Sequence, residues 1–465
     1  MRNVKSHIRS IGSKNISTGE HIMINSLKKF GVLVVFGLFC LLYQPPVLNF
    51  NIIHVVGIAS WLYILLVSNV SKGVLTIDKT ERTVFTCFIF ISLYVFFDVV
   101  LLLGGTLALA FSSFYCVIDI IPFCVVLKNI GRRKRCTTED FINLFIFTAS
   151  LQAVMVFAAI VFPPVQSFFI QKLVDYGYTT DFSRFSSYRI YGFAASLTFI
   201  TPIVQSFVAV LCFLKGTKSK AKLLYYTLGT LLFASGVVNA RIAIVVLVIG
   251  FSAYVFWGKA PIIRKIAFLV AIFVGSYLLI NLVFPFLAKQ FPATYNWIYS
   301  GVDELENAFR GNFTQGYFSY ITSKEKYTLP SDVLNIIFGK GYRIMGGRAL
   351  YGVSSDIGFI NDIWLGGLFY CIIVYTVYFG FMKSMYKSKD SLSSFIGLFF
   401  ILTFIICNFK GYVFTMNGLT NMLLVFYFGS ESLVKWQMSD RKSENVRIID
   451  DGEGAILEST DCHAV

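Results

Sequence analysis

The chain reads as an all-α, polytopic integral membrane protein of about twelve transmembrane helices with a folded large outer loop, and three observations predict it. Of its 465 residues, 56% are apolar or aromatic and only 14% charged, against about 25% charged in an ordinary soluble domain. A mean hydropathy of +0.71 is spread along nearly the whole length, which indicates many spans and not one anchor on a soluble head. Hydrophobic segments recur, separated mostly by short polar links. The composition excludes a water-soluble protein, a disordered chain and a disulfide scaffold.

Taken in order, the hydrophobic segments cover residues 30–43, 48–70, 84–103, 106–127, 141–162, 191–214, 223–238, 242–257, 266–287, 358–380, 393–409 and 415–430. Several fall short of the ~20 residues of a full span, so the count is read to within one pair. The first has the length of a signal-peptide core, but no small-residue cleavage pattern precedes Gln44-Pro45-Pro46, and it is read as a span.

Orientation follows from the side that Lys and Arg occupy. With the N-terminus in the cytoplasm, 28 of the 40 fall inside and 12 outside. Gly131-Arg132-Arg133-Lys134-Arg135 and the lysine-rich 215–222 are the strongest pins. Residues 1–29 are then a cytoplasmic N-terminal segment, 30–430 the transmembrane domain with outer loops 163–190 and 288–357, and 431–465 a cytoplasmic tail with an acidic, solvated stretch. The net charge of +15 is thus a matter of topology, and no nucleic-acid partner is expected. The inside links leave no room for a nucleotide-binding domain, and neither GxxxxGK[ST] nor GxGxxG occurs, which speaks against ATP-driven transport within this chain.

The larger outer loop is not linker-like. Ser331-Asp332 ahead of Val333 to Phe338 and then Gly339 predicts a capped short helix stopped by glycine, and Tyr295 to Phe309 a second helix at the interface. The nine Cys form no CxxC and pair with no His at metal spacing, so they read as small core hydrophobes, and no disulfide is expected.

Arginine on the outer face runs against the topology bias, so Arg184, Arg189, Arg241, Arg310, Arg343 and Arg348 each need a reason. Each is either a solvated loop cation or a planar fork for phosphate or diphosphate. Arg241 is the sharpest case, because it sits in a link of one to three residues between two short segments, where a cation is costly unless it snorkels or meets an anion. Arg189 enters the 191–214 segment at matching depth. Among acids, Asp356 stands at the mouth of the 358–380 segment with Asn361 and Asp362 one turn further in. By helical spacing Asn361 and Asp362 either look into the same cavity that Asp356 fronts, or the three form an N-cap with an acidic first turn.

Glu304 and Glu306 are the nearest acidic pair outside, and without DxD or an outer His neither a metal nor another cofactor is expected. Asp98 and Asp119 within segments have no Lys, Arg or His at matching depth in the sequence reading. Inter-helix hydrogen bonding is therefore preferred over a proton relay for them, and His54 reads as a polar packing group.

Four stretches in this order resemble the O-antigen polymerases, the Wzy-type polysaccharide polymerases. They are Arg189-Ile190-Tyr191-Gly192, Asn239-Ala240-Arg241, Phe338-Gly339-Lys340-Gly341-Tyr342, and Ser355-Asp356-Ile357-Gly358-Phe359 running into Gly366-Gly367-Leu368. The resemblance implies a bacterial inner-membrane glycosyltransferase with its active face toward the periplasm or exterior. It would transfer a growing glycan from undecaprenyl diphosphate to a new lipid-linked repeat unit of an O-antigen or capsule. It further implies membrane lipid, a chain-length regulator and a flippase of the same pathway as partners. The absence of a His in the large outer loop favours polymerase over the related ligases. On this reading Asp356 and Arg241 are catalytic, and Arg189, Arg184, Arg343, Arg310, Asn361 and Asp362 bind substrate. The alternative is a polyisoprenoid-linked oligosaccharide flippase or other secondary transporter. Alkaline phosphatase fused at Lys172 or Thr322 is expected to be active, and at Lys218 or Lys387 inactive; a reversed pair contradicts the topology.

Overall fold

The computed structural model describes residues 25–48, 50–70, 79–105, 107–176, 189–195, 199–257, 261–278, 281, 284–312, 319, 323–344 and 354–431. Among the described residues there is no strand. Helices α1 (Val32–Tyr43), α2 (Ile53–Val70) and α3 (Lys79–Tyr94) come first, α3 running on as a π-helical stretch, Val95–Leu102. Then α4 (Leu107–Tyr115) passes through a second π stretch, Cys116–Ile120, into α5 (Ile121–Arg133). These are followed by α6 (Thr138–Val161), α7 (Pro163–Asp175), α8 (Ile200–Lys218), α9 (Lys222–Val237), α10 (Ile242–Trp257) and α11 (Ile262–Leu278). The last are α12 (Phe284–Gln290), α13 (Pro292–Phe309), α14 (Val333–Phe338), α15 (Gly358–Tyr386), α16 (Ser391–Cys407) and α17 (Gly418–Phe426).

Among the described residues, five helical stretches are long and apolar enough to cross a membrane: Glu81–Leu102, Ser112–Arg133, Thr138–Val161, Ile200–Lys218 and Gly358–Tyr386. Shorter apolar helices stand beside them, among them Val32–Tyr43, Ile242–Phe256 and Ser391–Cys407. α8 is buried on nearly every side and is the axis of the bundle, packed against α6, α9, α10 and α17. A helix that is apolar all round is one whose neighbours surround it. Phe207 on α8 stacks on Phe399 and Phe400 of α16 at 4.0 and 4.4 Å between ring centroids, and Phe145 of α6 stacks on Phe426 of α17 at 4.1 Å. On the periphery, by contrast, Leu102, Leu33 and Phe273 are largely exposed, as lipid-facing side chains would be.

Several elements differ from the sequence reading. The 191–214 segment does not begin as helix: Arg189–Ala195 is non-helical and largely buried, Gly192 takes a left-handed φ of 60°, and α8 starts at Ile200. Non-helical backbone at this position needs its polar groups satisfied by protein. Gln166 Nε2 donates to the carbonyl of Arg189 at 2.9 Å, Gln152 Nε2 to that of Tyr191 at 2.7 Å, and the amides of Ile190 and Ala195 donate to Val238 and Tyr43. The 266–287 segment divides into α11 and α12, with Pro285 in the first turn of α12, where it costs no intrahelical hydrogen bond. The 163–190 loop opens with α7, started by Pro163 and Pro164. α14 lies where the sequence predicts it and ends at Gly339 with φ 86°, but the Asp332 side chain makes no capping hydrogen bond.

α3 and α5 are joined by an ion pair between Glu81 and Lys128, whose side chains are 1% and 0% exposed. Removing one partner from such a pair strands a buried charge, at a cost of about 3–5 kcal/mol. Lys128→Met is therefore expected to lower the thermal midpoint in detergent sharply, with most of the loss recovered in the double variant carrying Glu81→Gln as well. Equal midpoints for the single and double variants would contradict a paired, buried charge.

Candidate functional site

Two side-chain clusters gather around the link from Asn408 to Tyr412, between α16 and α17. The first is built on Trp297 of α13. The guanidinium of Arg241 lies 4.9 Å from the Trp297 ring centroid and that of Arg189 5.4 Å, so two cations share one aromatic surface. Arg241 comes from the tight α9–α10 link and Arg189 from the non-helical segment ahead of α8; the hydrogen bond from Ile190 to Val238 ties these two pieces of chain together. Arg241 Nη1 donates to Glu304 Oε1 and Nη2 to Ser300 Oγ, each at 2.7 Å. The Nε of Arg241 is buried and makes no hydrogen bond among the described residues.

Lys410 and Asp356 extend this cluster, Nζ to Oδ2 being 4.0 Å, with both side chains about one-third exposed. Burial lowers the Lys410 pKa below its ordinary value; the Asp356 carboxylate opposes that shift, Arg189 and Arg241 add to it, and Glu304 opposes it. Among the described residues, Arg189, Arg241 and Lys410 thus stand near Asp356 and Glu304. Guanidinium and ammonium groups at a partly open place are groups suited to an anion.

The second cluster is more deeply buried, with Arg343 14% exposed and Asp362 not at all. Asp362 is fully buried in α15 and accepts from Arg343 Nη2 at 3.3 Å and from Tyr375 Oη at 2.9 Å. Asn408 Nδ2 donates to Tyr375 Oη at 3.1 Å, and the Arg343 guanidinium lies 4.3 Å from the Tyr412 ring centroid. Burial disfavours the charge on Arg343, but Tyr370, Asp362 and Tyr412 together outweigh it and raise its pKa.

α15 positions both clusters, because its backbone breaks after the first two turns. Gly366 and Gly367 leave helical geometry, Gly367 at φ 66°, and a Cβ there would collide with the carbonyl of Ile337 in α14. The carbonyls of Trp364 and Leu365 next to the break accept from the amides of Lys340 and Gly341, at 2.7 and 2.9 Å. Trp364 Nε1 donates to the carbonyl of Thr328, and Ser355 Oγ to that of Lys326. The segment around α14 is thereby stitched to the first turns of α15, which sets Arg343 against Asp362.

Of the residues singled out in the sequence, Arg189, Arg241 and Asp356 converge on the first cluster, and Arg343 and Asp362 on the second. Asn361 does not share an opening with Asp356: it is fully buried, and its Nδ2 donates to the carbonyls of Ser355 and Ile357, at 2.8 and 2.9 Å, holding the first turn of α15. Arg310 stands apart, pairing with Glu306 one turn earlier on the exposed side of α13. Arg184 and Arg348 lie outside the described residues. The sequence reading passed over Trp297, Tyr375 and Tyr412, and used Lys410 only for topology. Lys410 carries the same signature as Arg241, a lone cation in a short link between apolar segments. Glu304 was weighed there only as part of an acidic pair; in the structure it pairs with Arg241.

Elsewhere Asp119 makes the inter-helix hydrogen bond that the sequence reading prefers for it, and its partner is His54, which that reading does not place at matching depth. His54 Nδ1 and Asp119 Oδ2 lie 2.7 Å apart, and Asp119 is 1% exposed, within the π stretch Cys116–Ile120.

No protein-family model matches the chain, and searches of curated proteins and of solved structures find no significant match.

Proposed function

We propose that the chain is a membrane glycosyltransferase that polymerises lipid-linked oligosaccharide repeat units of a surface polysaccharide, with about twelve spans and with both clusters on the periplasmic or exterior side. The observation that carries this reading is the convergence of Arg189 and Arg241 on Trp297, with Lys410 and Asp356 alongside. Guanidinium forks match the oxygens of a diphosphate and keep their charge at a lipid boundary.

In the reaction, the acceptor hydroxyl of a new repeat unit attacks the anomeric carbon of the growing glycan. The bond from that carbon to the diphosphate oxygen breaks, and undecaprenyl diphosphate leaves with the bonding pair. Arg189, Arg241 and Lys410 hold the charge that develops on the leaving diphosphate, a contribution of ~3–4 kcal/mol for one such group. Asp356 orients the hydroxyl and takes its proton. Arg343 is held by Asp362 and lies against the Tyr412 ring, so on this reading it supports the shape of the site and contacts glycan only at its rim.

The secondary-transporter reading retains one observation in its favour, the His54–Asp119 pair inside the apolar bundle, since intramembrane ionisable pairs are common in proton relays. One variant separates the two. Arg241→Ala, expressed at normal level, is expected to leave single-repeat glycans at the cell surface while long chains fall by about 10²- to 10³-fold. Arg241→Lys is expected to recover part of the length distribution, because an ammonium keeps the charge without the fork. Wild-type chain length in Arg241→Ala would remove the diphosphate assignment, and loss of all surface glycan would favour the transporter.

A further inference from the structure

α13 lies directly over the proposed diphosphate site. Trp297, Ser300, Gly301 and Glu304 follow at helical spacing and form one face. Trp297 carries the two guanidiniums, and Ser300 and Glu304 take both Nη atoms of Arg241. Gly301 permits the close approach, since a Cβ there would strike the Arg241 side chain. The other face is solvated: Tyr299, Asp303, Glu306 and Arg310 are exposed. The helix is anchored on the bundle side by Thr294 and Ile298, which are 2% and 3% exposed, and by packing against α12.

One arm of the fork that would grip a phosphate is therefore already taken by a carboxylate of the same chain, and the other by a hydroxyl. Arg241 and Glu304 side chains are 25% and 21% exposed, so the pair is within reach of solvent and of a competing anion. A pair this accessible is worth little and exchanges readily. A diphosphate, with more charge and more acceptor oxygens than one carboxylate, competes for the same Nη atoms and also meets the unused Nε of Arg241.

We propose that Glu304 is a built-in occupant of the anion site and that α13 is its displaceable cover, so that a lipid diphosphate binds by driving Glu304 off Arg241 and loosening α13. This rests on the diphosphate reading above. Trp297 remains with the arginines as the α13 backbone lifts, because the loss is at its Glu304 end. The cover explains how a strongly cationic site at a membrane surface escapes permanent occupation by anionic lipid headgroups: only an anion that outcompetes an intramolecular carboxylate enters.

The test uses the full chain in lipid nanodiscs with farnesyl diphosphate, inorganic pyrophosphate and farnesol as probes. Glu304→Gln keeps the size of the side chain and removes its charge, and it is expected to tighten farnesyl diphosphate and pyrophosphate about fivefold. Arg241→Ala is expected to abolish binding of both. In wild-type protein, amide exchange across residues 292–309 is expected to quicken with either diphosphate and to stay unchanged with farnesol, which has the tail without the charge. If Arg241→Ala weakens binding but Glu304→Gln binds as wild type or more weakly, the cover is overturned while the anion site stands. Exchange in 292–309 that slows with diphosphate, or that quickens equally with farnesol, overturns the cover as well. If neither substitution moves the affinity, the diphosphate reading fails with it.

Discussion

An apolar helix that breaks its own backbone must find partners for the carbonyls it frees, and α15 finds them in the amides of Lys340 and Gly341. The rest of the candidate site depends on that repair. Lys340 and Gly341 directly follow α14, so the repair fixes α14 against α15, with Gly367 close to Ile337. It also delivers Arg343, two residues further on, to Asp362. Ser355 and Trp364 hold the residues around 326–328 by hydrogen bonds from their side chains, and Asp356 is presented between these ties. A straight α15 would need none of these contacts and would leave the 323–344 segment without a seat.

The same economy governs charge. Among the described residues, several ionisable groups drawn into the interior of the bundle have a charged partner: Glu81 has Lys128, Asp140 has Lys29 at 2.8 Å, and Asp362 has Arg343, with Tyr375 donating to it as well. Such pairs favour one arrangement of helices through the cost of breaking them more than through any net gain in stability. The cluster around Trp297 differs in being partly exposed. That exposure separates it from groups that only lock helices together, and it distinguishes Arg241 from Arg343.

Much of this was legible in the sequence, and the failures have physical causes. Each of the twelve apolar segments contains a helix, because length and hydropathy report directly on burial away from water. Arg189 and Arg241 were readable as a pair, since both interrupt apolar sequence at equivalent places. The non-helical start of the 191–214 segment was not readable: Tyr191 to Leu197 is as apolar as the helix that follows, and what breaks it is the left-handed Gly192 with glutamine side chains from α6 and α7 capping its carbonyls. The partner of Asp119 comes from another helix, and a one-dimensional hydrophobic pattern does not show which side chains of two helices face each other. Nothing in the sequence singles out Trp297, and only three-dimensional proximity shows it against two guanidiniums.

The central claim is that this cationic cluster holds a lipid diphosphate while a glycan is transferred from it. The most direct measurement is reconstitution of the purified chain in liposomes with a chemically defined, undecaprenyl diphosphate-linked repeat unit, followed by separation of the lipid-linked products by size. The account predicts a ladder of products spaced by one repeat unit, together with release of undecaprenyl diphosphate in step with each bond formed. A single unextended species, from protein that is folded and binds the substrate, would contradict it.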